Sequence, residues 1–303
     1  MRLKLMVFAI AAVSFLNAAA FAEELTGTLA KIKDSGAITL GHRESSVPFS
    51  YYDDNQQVIG YAMDLCYKIV DAVKSELKMD KIEVKLNPVT SATRIPLIAN
   101  GTVDLECGST TNNLEREKQV GFTITHFVTA NRFVSKKSAN LKTVDDLKGK
   151  TIVSTSGTTN IKHITEIGAQ KHLDLNIIAA KDHAEAFLMV ETDRAAAFVM
   201  DDILLYSLVA TSKSPGDYVI SADALSVEPY GIMLRRDDPA FKAVVDAKMT
   251  AIYKSGDIDA IYDKWFLNPI PPKGINLNVP MSASFKKVVA NPTDTGDPAW
   301  YAP

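Results

Sequence analysis

Three loops in this sequence carry the hydrogen-bond donors that a bound anion needs. They span residues 41–46 with Arg43, residues 108–111 with Arg116 downstream, and residues 156–159. Each loop follows a short β-rich run, and the third opens a helix. Backbone N–H groups at a helix start, serine and threonine hydroxyls and a guanidinium fork together match the two oxygens of a carboxylate. The pattern predicts a carboxylate site if the loops converge.

Taken singly, each of these signals also has an ordinary structural explanation. The Ser-Gly-Thr-Thr turn at 156–159 is typical of a helix cap, and it lacks the lysine and the spacing of a phosphate-binding loop. Arg94 follows Ser91 at a predicted helix start, where a cap and a surface salt bridge are equally good explanations. His183 and Asp201 follow strand-like runs, but a lone polar residue there does not define a site.

The segments between these loops alternate between strand and helix. Residue periodicity predicts helices at 60–78, 93–100, 182–192 and 201–211, and strands at 37–41, 82–86, 103–107, 151–155, 177–180 and 195–200. This alternation predicts an α/β protein with largely parallel sheets and helices on both faces. Loops at the carboxyl ends of parallel strands meet at one edge, where ligands bind. We therefore expect the three loops to converge.

The chain has no extended Pro/Gly/Ser-rich linker that would separate two sequential domains. One sheet holding every strand would be unusually long, so we expect a second domain inserted within the first and joined by two short crossovers. Residues 238–266 predict two helices broken at Ser255-Gly256. The proline-bearing tail that follows is expected to be an extended strap rather than another domain.

Composition and the N-terminal residues indicate an exported globular protein. The 303 residues are 47% hydrophobic and 23% charged, and the formal net charge of -3 argues against nucleic acid or an anionic membrane surface as a partner. Two basic residues precede an apolar run at 5–16 and small residues near position 22, which predicts a signal peptide at 1–22. The apolar run is shorter than the roughly 20 residues of a membrane-spanning helix.

The two cysteines, Cys66 and Cys107, do not indicate a disulfide framework. Cys66 lies on the apolar stripe of a predicted helix and Cys107 follows a predicted strand, so we expect two buried free thiols rather than one bridge. Neither cysteine belongs to a CxxC motif.

No metal, cofactor or catalytic residue is predicted. The histidines other than His183 lack ligand spacing with Cys, Asp or Glu, so a zinc site is not indicated. No Gly-x-Ser-x-Gly elbow and no distinctive carboxylate pair occurs in the sequence. The sequence therefore does not indicate a hydrolase.

The order of five segments makes the chain resemble the polar-amino-acid family of bacterial periplasmic solute-binding proteins, family 3. The resemblance extends from about residue 25 to about residue 272, and the segments are GHRESSVPFSYY at 41–52, ECGSTTNN at 106–113, TSGTT at 155–159, AKDH at 180–183 and MDD at 200–202. The first, second and fourth are characteristic of the acidic-amino-acid branch. The third, and the Lys-Trp-Phe at 264–266, belong to the wider family.

The resemblance implies a two-lobe clamp, the type II periplasmic-binding-protein fold. Each lobe would be a mostly parallel sheet flanked by helices, and two crossover strands would form the hinge. Residues 23–128 and 229–303 would form lobe 1, and residues 129–228 would form lobe 2. The resemblance implies a periplasmic monomer that is not an enzyme, needs no cofactor, binds L-glutamate or L-aspartate, and passes the ligand to the inner-membrane permease subunits of an ABC importer.

The resemblance also implies how the ligand backbone would be held. Arg116 would take the α-carboxylate as a bidentate pair, with further donors from Thr111 and from the helix start at Thr159. Asp201 would hold the α-ammonium, with help from Ser109.

Four more residues would surround the side-chain carboxylate of the ligand: Arg43, Ser91, Arg94 and His183. Three arginines against one aspartate complement a ligand with two carboxylates and one ammonium, whereas a basic ligand would require an acidic group in place of Arg43 and Arg94.

Three other interpretations remain open. Cyclohexadienyl dehydratases resemble these binding proteins, and His183 or Glu106 would then serve as a general acid. The second alternative is a signalling protein that reports its ligand to a membrane sensor. The third is a protein of the same class that binds glutamine or asparagine.

Overall fold

The computed structural model describes residues 25–302. The predicted signal peptide at 1–22 lies outside the described residues.

Nine α-helices occur in the described part of the chain. They are α1 Gly27–Ser35, α2 Tyr61–Glu76, α3 Arg94–Ala99, α4 Thr159–Gln170, α5 His183–Glu191, α6 Asp202–Thr211, α7 Pro239–Ser255, α8 Asp257–Phe266 and α9 Ala283–Ala290. Short 3₁₀ turns lie at Arg116–Lys118, Lys137–Ala139, Val144–Leu147, Pro215–Asp217 and Pro298–Tyr301.

Fourteen strands connect these helices within residues 25–302. They are β1 Ala37–His42, β2 Ser45–Ser46, β3 Ser50–Tyr52, β4 Val58–Ile59, β5 Glu83–Pro88, β6 Leu105–Cys107, β7 Gly121–Phe122, β8 Phe127–Lys136, β9 Thr151–Thr155, β10 Asn176–Ala180, β11 Ala197–Asp201, β12 Tyr218–Ile220, β13 Ser226–Tyr230 and β14 Met233–Leu234.

The strands form two main sheets, each with a parallel centre and antiparallel additions. In the first sheet, in the order β5-β1-β6-β14-β7, strands β5, β1 and β6 are parallel and β14 runs against its neighbours. In the second, β10, β9 and β11 are parallel, while β8 runs antiparallel to β11, β12 and β13. A small sheet of β2, β3 and β4 lies beside the first. The protein therefore has two lobes of the expected type.

The helices pack on these sheets through one apolar face each. In α2, the fully buried Leu65, Cys66, Ile69 and Val73 recur at three and four residues, so they point together toward the first sheet. Helices α1, α3, α7 and α8 complete the first lobe, whereas α4, α5 and α6 pack on the second sheet. Burial of each large aliphatic side chain contributes about 1.5–3 kcal/mol to folding.

Strands β8 and β13 run side by side where the two lobes meet. Their register pairs Phe127 with Tyr230 at one end and Asn131 with Ser226 at the other. Phe127 packs with Phe49 and Phe266 in an aromatic cluster of the first lobe, with ring centroids 5.1 and 4.9 Å away. The predicted boundaries at 128 and 229 fall within this strand pair, and we keep them as a proposal.

The C-terminal tail is more structured than expected. The prediction of an extended strap is wrong for residues 283–290, which form α9. Phe285 of this helix is buried against Tyr262, with ring centroids 5.9 Å apart, and the Tyr301 hydroxyl lies 2.7 Å from Thr125 Oγ1. Phe285 and Tyr301 thus pack the tail against the first lobe. The surrounding prolines are typical of an extended chain, which is why the sequence predicted a strap.

The prediction of two free thiols is wrong. Cys66 and Cys107 form a disulfide with their Cα atoms 6.2 Å apart. Helix α2 packs across β6, so the apolar face of the helix meets the end of the strand. Both cysteines are buried between them. A bridge of this kind forms in an oxidising compartment.

No helix among residues 25–302 is long and apolar enough to cross a membrane.

Replacing both cysteines by alanine should lower the free energy of unfolding by about 2–5 kcal/mol, because the bridge closes a long loop in the unfolded chain. The measurement is urea denaturation followed by tryptophan fluorescence. The wild-type protein treated with a reductant serves as the control and should lose a similar amount. Detection of two reactive thiols in the denatured, unreduced protein would contradict the bridge.

Candidate functional site

Loops at the carboxyl ends of the central strands of both sheets meet between the lobes. They enclose a cavity of about 10 Å³. Seven of the nine predicted site residues line it: Ser91, Arg94, Ser109, Thr111, Thr159, His183 and Asp201. The remaining two, Arg43 and Arg116, hydrogen-bond to residues of this lining. The structure therefore brings all nine together, as the predicted convergence of loops requires.

Arg43 follows β1 and is held by both lobes. Its Nη2 donates to Ser91 Oγ at 2.9 Å and lies 3.5 Å from His183 Nε2. The side chain is only 2% exposed, and Nη1 has no hydrogen-bond partner within residues 25–302. One edge of this buried guanidinium is thus fixed, and the other remains available to bind an acceptor.

Arg94, the first residue of α3, is held by residues of the loop at 108–111. Its Nη1 donates to the carbonyl of Ser109 at 3.2 Å and to the hydroxyl of Thr110. That hydroxyl in turn donates to Glu106 Oε2 at 2.6 Å. Arg94 Nε and Ser109 Oγ line the same region, and neither has a partner in the described part of the chain.

Arg116 joins the two lobes at the opposite end of the site. Its Nη1 donates to the carbonyl of Thr111 at 2.8 Å, and its Nη2 donates to the carbonyl of Gly157 at 3.2 Å. Gly157 has a φ of +76°, and a Cβ there would lie 2.6 Å from Ala92 Cα. Glycine is therefore needed at this point, both for its left-handed backbone and for the close approach of the lobes.

Two threonine hydroxyls also meet across the cleft. Thr111 Oγ1 and Thr159 Oγ1 lie 3.5 Å apart, and the Thr159 hydroxyl donates to Glu228 Oε2 at 2.9 Å. Thr159 is the first residue of α4, and the side chain of Thr158 caps the helix by accepting from Ile161 N. The free N–H groups of this helix start and its dipole favour an anion beside Thr159.

His183, the first residue of α5, is buried as a neutral imidazole. A guanidinium can only donate, so His183 Nε2 accepts from Arg43, and Nδ1 then carries the hydrogen and donates to Thr155 Oγ1 at 2.8 Å. Burial, followed by the charges of Arg43 and Arg94, holds the pKa of His183 well below its usual range.

Asp201 ends β11 and receives two hydrogen bonds. Asn160 Nδ2 donates to its Oδ1 at 2.7 Å, and the Tyr230 hydroxyl donates to its Oδ2. Burial, reinforced by the nearby Glu228 carboxylate, raises the pKa of Asp201 to about 7. A cation beside Asp201 would reverse this shift, because it would stabilise the ionised carboxylate.

The three site arginines form no direct ion pair. The arginine ion pairs within residues 25–302 involve Arg132, Arg235 and Arg236, and no site arginine forms one. Burial, and then the charge of Arg94, lowers the pKa of both Arg43 and Arg116 to about 10. Burial likewise lowers the pKa of Arg94. A carboxylate between these guanidiniums would offset an electrostatic cost that the fold already carries.

Sequence reasoning missed three residues of this site, Asn160, Glu228 and Tyr230, and it named Glu106 only as a general acid in the dehydratase alternative. The count of three arginines against one aspartate was incomplete, because Glu106 and Glu228 are also buried here. Glu106 stands in the segment ECGSTTNN, on the strand that leads into the loop at 108–111, so its place in that segment was a usable signal. Glu228 and Tyr230 lie on β13, whose pairing with β8 the sequence did not indicate.

A larger groove of about 760 Å³ lies outside the cavity, on the side of Arg116. It is lined by both lobes and by the tail residues Gly296 and Pro298. Thr111 and Thr159 separate it from the enclosed cavity, since both line the two spaces. In the described residues no cluster of three or more His, Cys, Asp or Glu side chains could hold a metal ion.

Known proteins include relatives that are similar to this chain over most of their length. An L-glutamate/L-aspartate-binding protein of Pseudomonas aeruginosa is 53% identical over 93% of this chain and 93% of its own. A glutamate/aspartate import solute-binding protein of Escherichia coli is 44% identical over 88% of both chains.

Solved structures of amino-acid-binding proteins share the fold. A mutant of ArgBP from T. maritima matches with a TM-score of 0.70 and 27% identity over 79% of this chain and 99% of that one. An ancestral amino acid-binding protein, described as a precursor of cyclohexadienyl dehydratase, matches with a TM-score of 0.65 and 28% identity over 79% of this chain and 99% of that one.

The family model for bacterial extracellular solute-binding proteins, family 3, matches residues 38–268. That segment contains the central strands of both sheets and all nine residues of the candidate site. With its two lobes, the polar cleft between them and these relatives, the chain belongs to the bacterial extracellular solute-binding proteins of family 3.

Proposed function

We propose that this protein is the periplasmic solute-binding component of an ABC amino-acid importer and that it binds L-glutamate and L-aspartate between its lobes. One observation carries the proposal: three buried arginines border the cleft, and none of them forms a direct ion pair within residues 25–302. A dicarboxylic amino acid supplies two carboxylates that can pair directly with these guanidiniums and one ammonium for Asp201.

The side chain of the ligand is assigned to the end of the site near Arg43 and Arg94. Arg43 Nη1 and Arg94 Nε are buried donors without a partner in residues 25–302. Ser91 and His183 flank Arg43 there. Two charged donors on a carboxylate form strong hydrogen bonds, whereas an amide presents one acceptor and two donors that would meet these cations unfavourably.

The backbone of the ligand is assigned to the other end. Arg116, Thr111 and the start of α4 at Thr159 supply donors for the α-carboxylate, and Asp201 accepts from the α-ammonium with Ser109 nearby. The donors come from both lobes, so a ligand held by all of them stabilises the closed clamp. Closure then reports occupancy to the permease subunits.

Location and assembly follow the same proposal. The predicted signal peptide and the disulfide support a protein that works in the periplasm and meets its permease there, and we propose that it does so as a monomer. The relatives are named as binding proteins, which supports a protein without enzymatic activity. The ancestral precursor of a dehydratase shows that a related clamp can acquire catalysis, so the dehydratase alternative merits a direct test.

The test is isothermal titration calorimetry on mature protein that has been unfolded and refolded to remove carried-over ligand. Glutamate and aspartate should bind tightly with one site per chain, and glutamine and arginine should bind much more weakly. Tight binding of glutamine or arginine would overturn the assigned specificity. Product formed from prephenate or arogenate would overturn the non-enzymatic assignment, and normal glutamate uptake in a strain without the protein would argue against the import role.

Replacing Arg43 or Arg94 by methionine should abolish most glutamate binding. Loss of one partner from a buried ion pair costs about 3–5 kcal/mol, which corresponds to a loss of more than about a hundredfold in affinity. Arg236→Met is the matched control, because Arg236 is exposed and bonds to the carbonyl of Lys118 away from the cleft. Glutamate binding that survives in both Arg43→Met and Arg94→Met would contradict the side-chain assignment.

Glutamate affinity should fall as the pH drops below 7. Asp201 is protonated below its pKa of about 7, and the α-ammonium requires its ionised form, so binding must release a proton there. The expected loss is up to about tenfold per pH unit, and the affinity should level off above pH 7. Calorimetry between pH 5 and 8, in buffers of different ionisation enthalpy, measures both the affinity and the proton release.

Two variants identify the group responsible for this pH dependence. Asp201→Asn should bind weakly and show a flat profile. His163 also titrates nearby, because its hydrogen bond with Glu228 raises its pKa, so His163→Gln should keep the slope. A slope that persists in Asp201→Asn and disappears in His163→Gln would assign the proton to His163 instead.

A further inference from the structure

Glu106 is a fully buried carboxylate behind the arginines of the site. It lies on β6, where its neighbours are Gly41 on β1 and Met233 on β14. Successive side chains of a strand point to opposite faces of the sheet. The next residue, Cys107, forms the disulfide with α2, so Glu106 faces the other side, where Arg94 begins α3.

The carboxylate reaches Arg94 only through a hydroxyl group. Thr110 Oγ1 donates to Glu106 Oε2 at 2.6 Å and accepts from Arg94 Nη1. The other oxygen, Oε1, has no partner among residues 25–302. A Cβ at position 108 would lie 2.3 Å from Oε1 and 2.9 Å from Arg43 Cγ, so Gly108 lets the carboxylate approach Arg43 closely.

The need for such a group is electrostatic. Arg43, Arg94 and Arg116 are all buried, and the charge of Arg94 lowers the pKa of the other two. Glu106 opposes the lowering of the pKa in all three arginines. It is therefore a counter-charge that the whole cluster shares, although it forms a direct ion pair with none of its members.

We propose that Glu106 is a positioning residue that balances the arginine cluster while Thr110 keeps its carboxylate one hydrogen bond away from Arg94. A direct ion pair would occupy the guanidinium that an incoming carboxylate needs. The indirect arrangement lowers repulsion in the unliganded protein and leaves the outer edges of Arg43 and Arg94 free. Glu106 thereby limits how strongly the site prefers a carboxylate over an amide, an inference that rests on the proposed binding of glutamate.

The experiment compares Glu106→Gln with wild type for thermal midpoint without ligand and for affinity toward glutamate and glutamine. The variant should melt at a lower temperature, because three buried cations lose their counter-charge. It should also raise the ratio of glutamate to glutamine affinity by about tenfold or more, because a negative charge that repels only the ligand carboxylate is removed. A purely structural role would lower the midpoint and leave the ratio unchanged, which would overturn the proposal.

Asp104→Asn is the matched control. Asp104 is buried immediately before β6, but it pairs with Lys31 and accepts from Thr39 N, away from the arginines. This substitution should destabilise the protein without changing the ratio. An equal change of the ratio in Asp104→Asn would show that the effect of Glu106→Gln is general and would also overturn the proposal.

Thr110→Val tests the hydroxyl relay separately and covers the case in which Glu106→Gln does not fold. It keeps both charges and removes the group between them, so Glu106 can pair with Arg94 directly. Glutamate affinity should fall by about 3- to 10-fold, with glutamine affinity nearly unchanged. Unchanged glutamate affinity would overturn the relay. If wild type fails to bind glutamate, the proposed function fails, while a midpoint of ligand-free Glu106→Gln that is not lowered would separately overturn the counter-charge.

Discussion

Burial of three guanidinium groups between two lobes is the constraint on which the site depends. A buried cation without a partner is costly, and the cost rises when like charges are close together. In this protein Arg43 and Arg94 lie within the first lobe, and Arg116 also bonds to Gly157 of the second. Glu106 balances part of this charge without pairing directly with any of the three. Under the proposed function, the two carboxylates of the ligand supply the direct partners, so the same interactions provide both affinity and closure.

The scaffold supplies rigidity where this cluster requires it. Two sheets with parallel centres direct their loops into one cleft, and α3, α4 and α5 each begin with a site residue. The disulfide fastens β6 to α2 directly behind Glu106. The tail packs beside the strands that join the lobes, through Phe285 and Tyr301. These contacts hold the first lobe together beside β8 and β13, the strands that connect it to the second.

Polar residues around the cleft divide into those that face the ligand and those that hold them. His183 is fixed as a neutral donor and acceptor between Thr155 and Arg43. Asn160 and Tyr230 donate to the two oxygens of Asp201, so the carboxylate is held in place. A cation beside it would stabilise its ionised form. Supporting groups of this kind reduce the entropy that a ligand must lose on binding, because the site is already organised.

Local pattern was sufficient for much of the fold. The spacing of apolar residues determined α2, the Gly256 break determined the boundary of α7 and α8, and strand-like runs located β1, β9 and β10 within one or two residues. The order of the five segments predicted the family and the nine residues of the candidate site.

Tertiary structure alone decided the disulfide, because pairing depends on α2 lying across β6. It also decided the packing of the tail, the pairing of β8 with β13, and the charge balance to which Glu106 and Glu228 contribute. These features depend on contacts between residues far apart in the chain, and a sequence does not show distances through space.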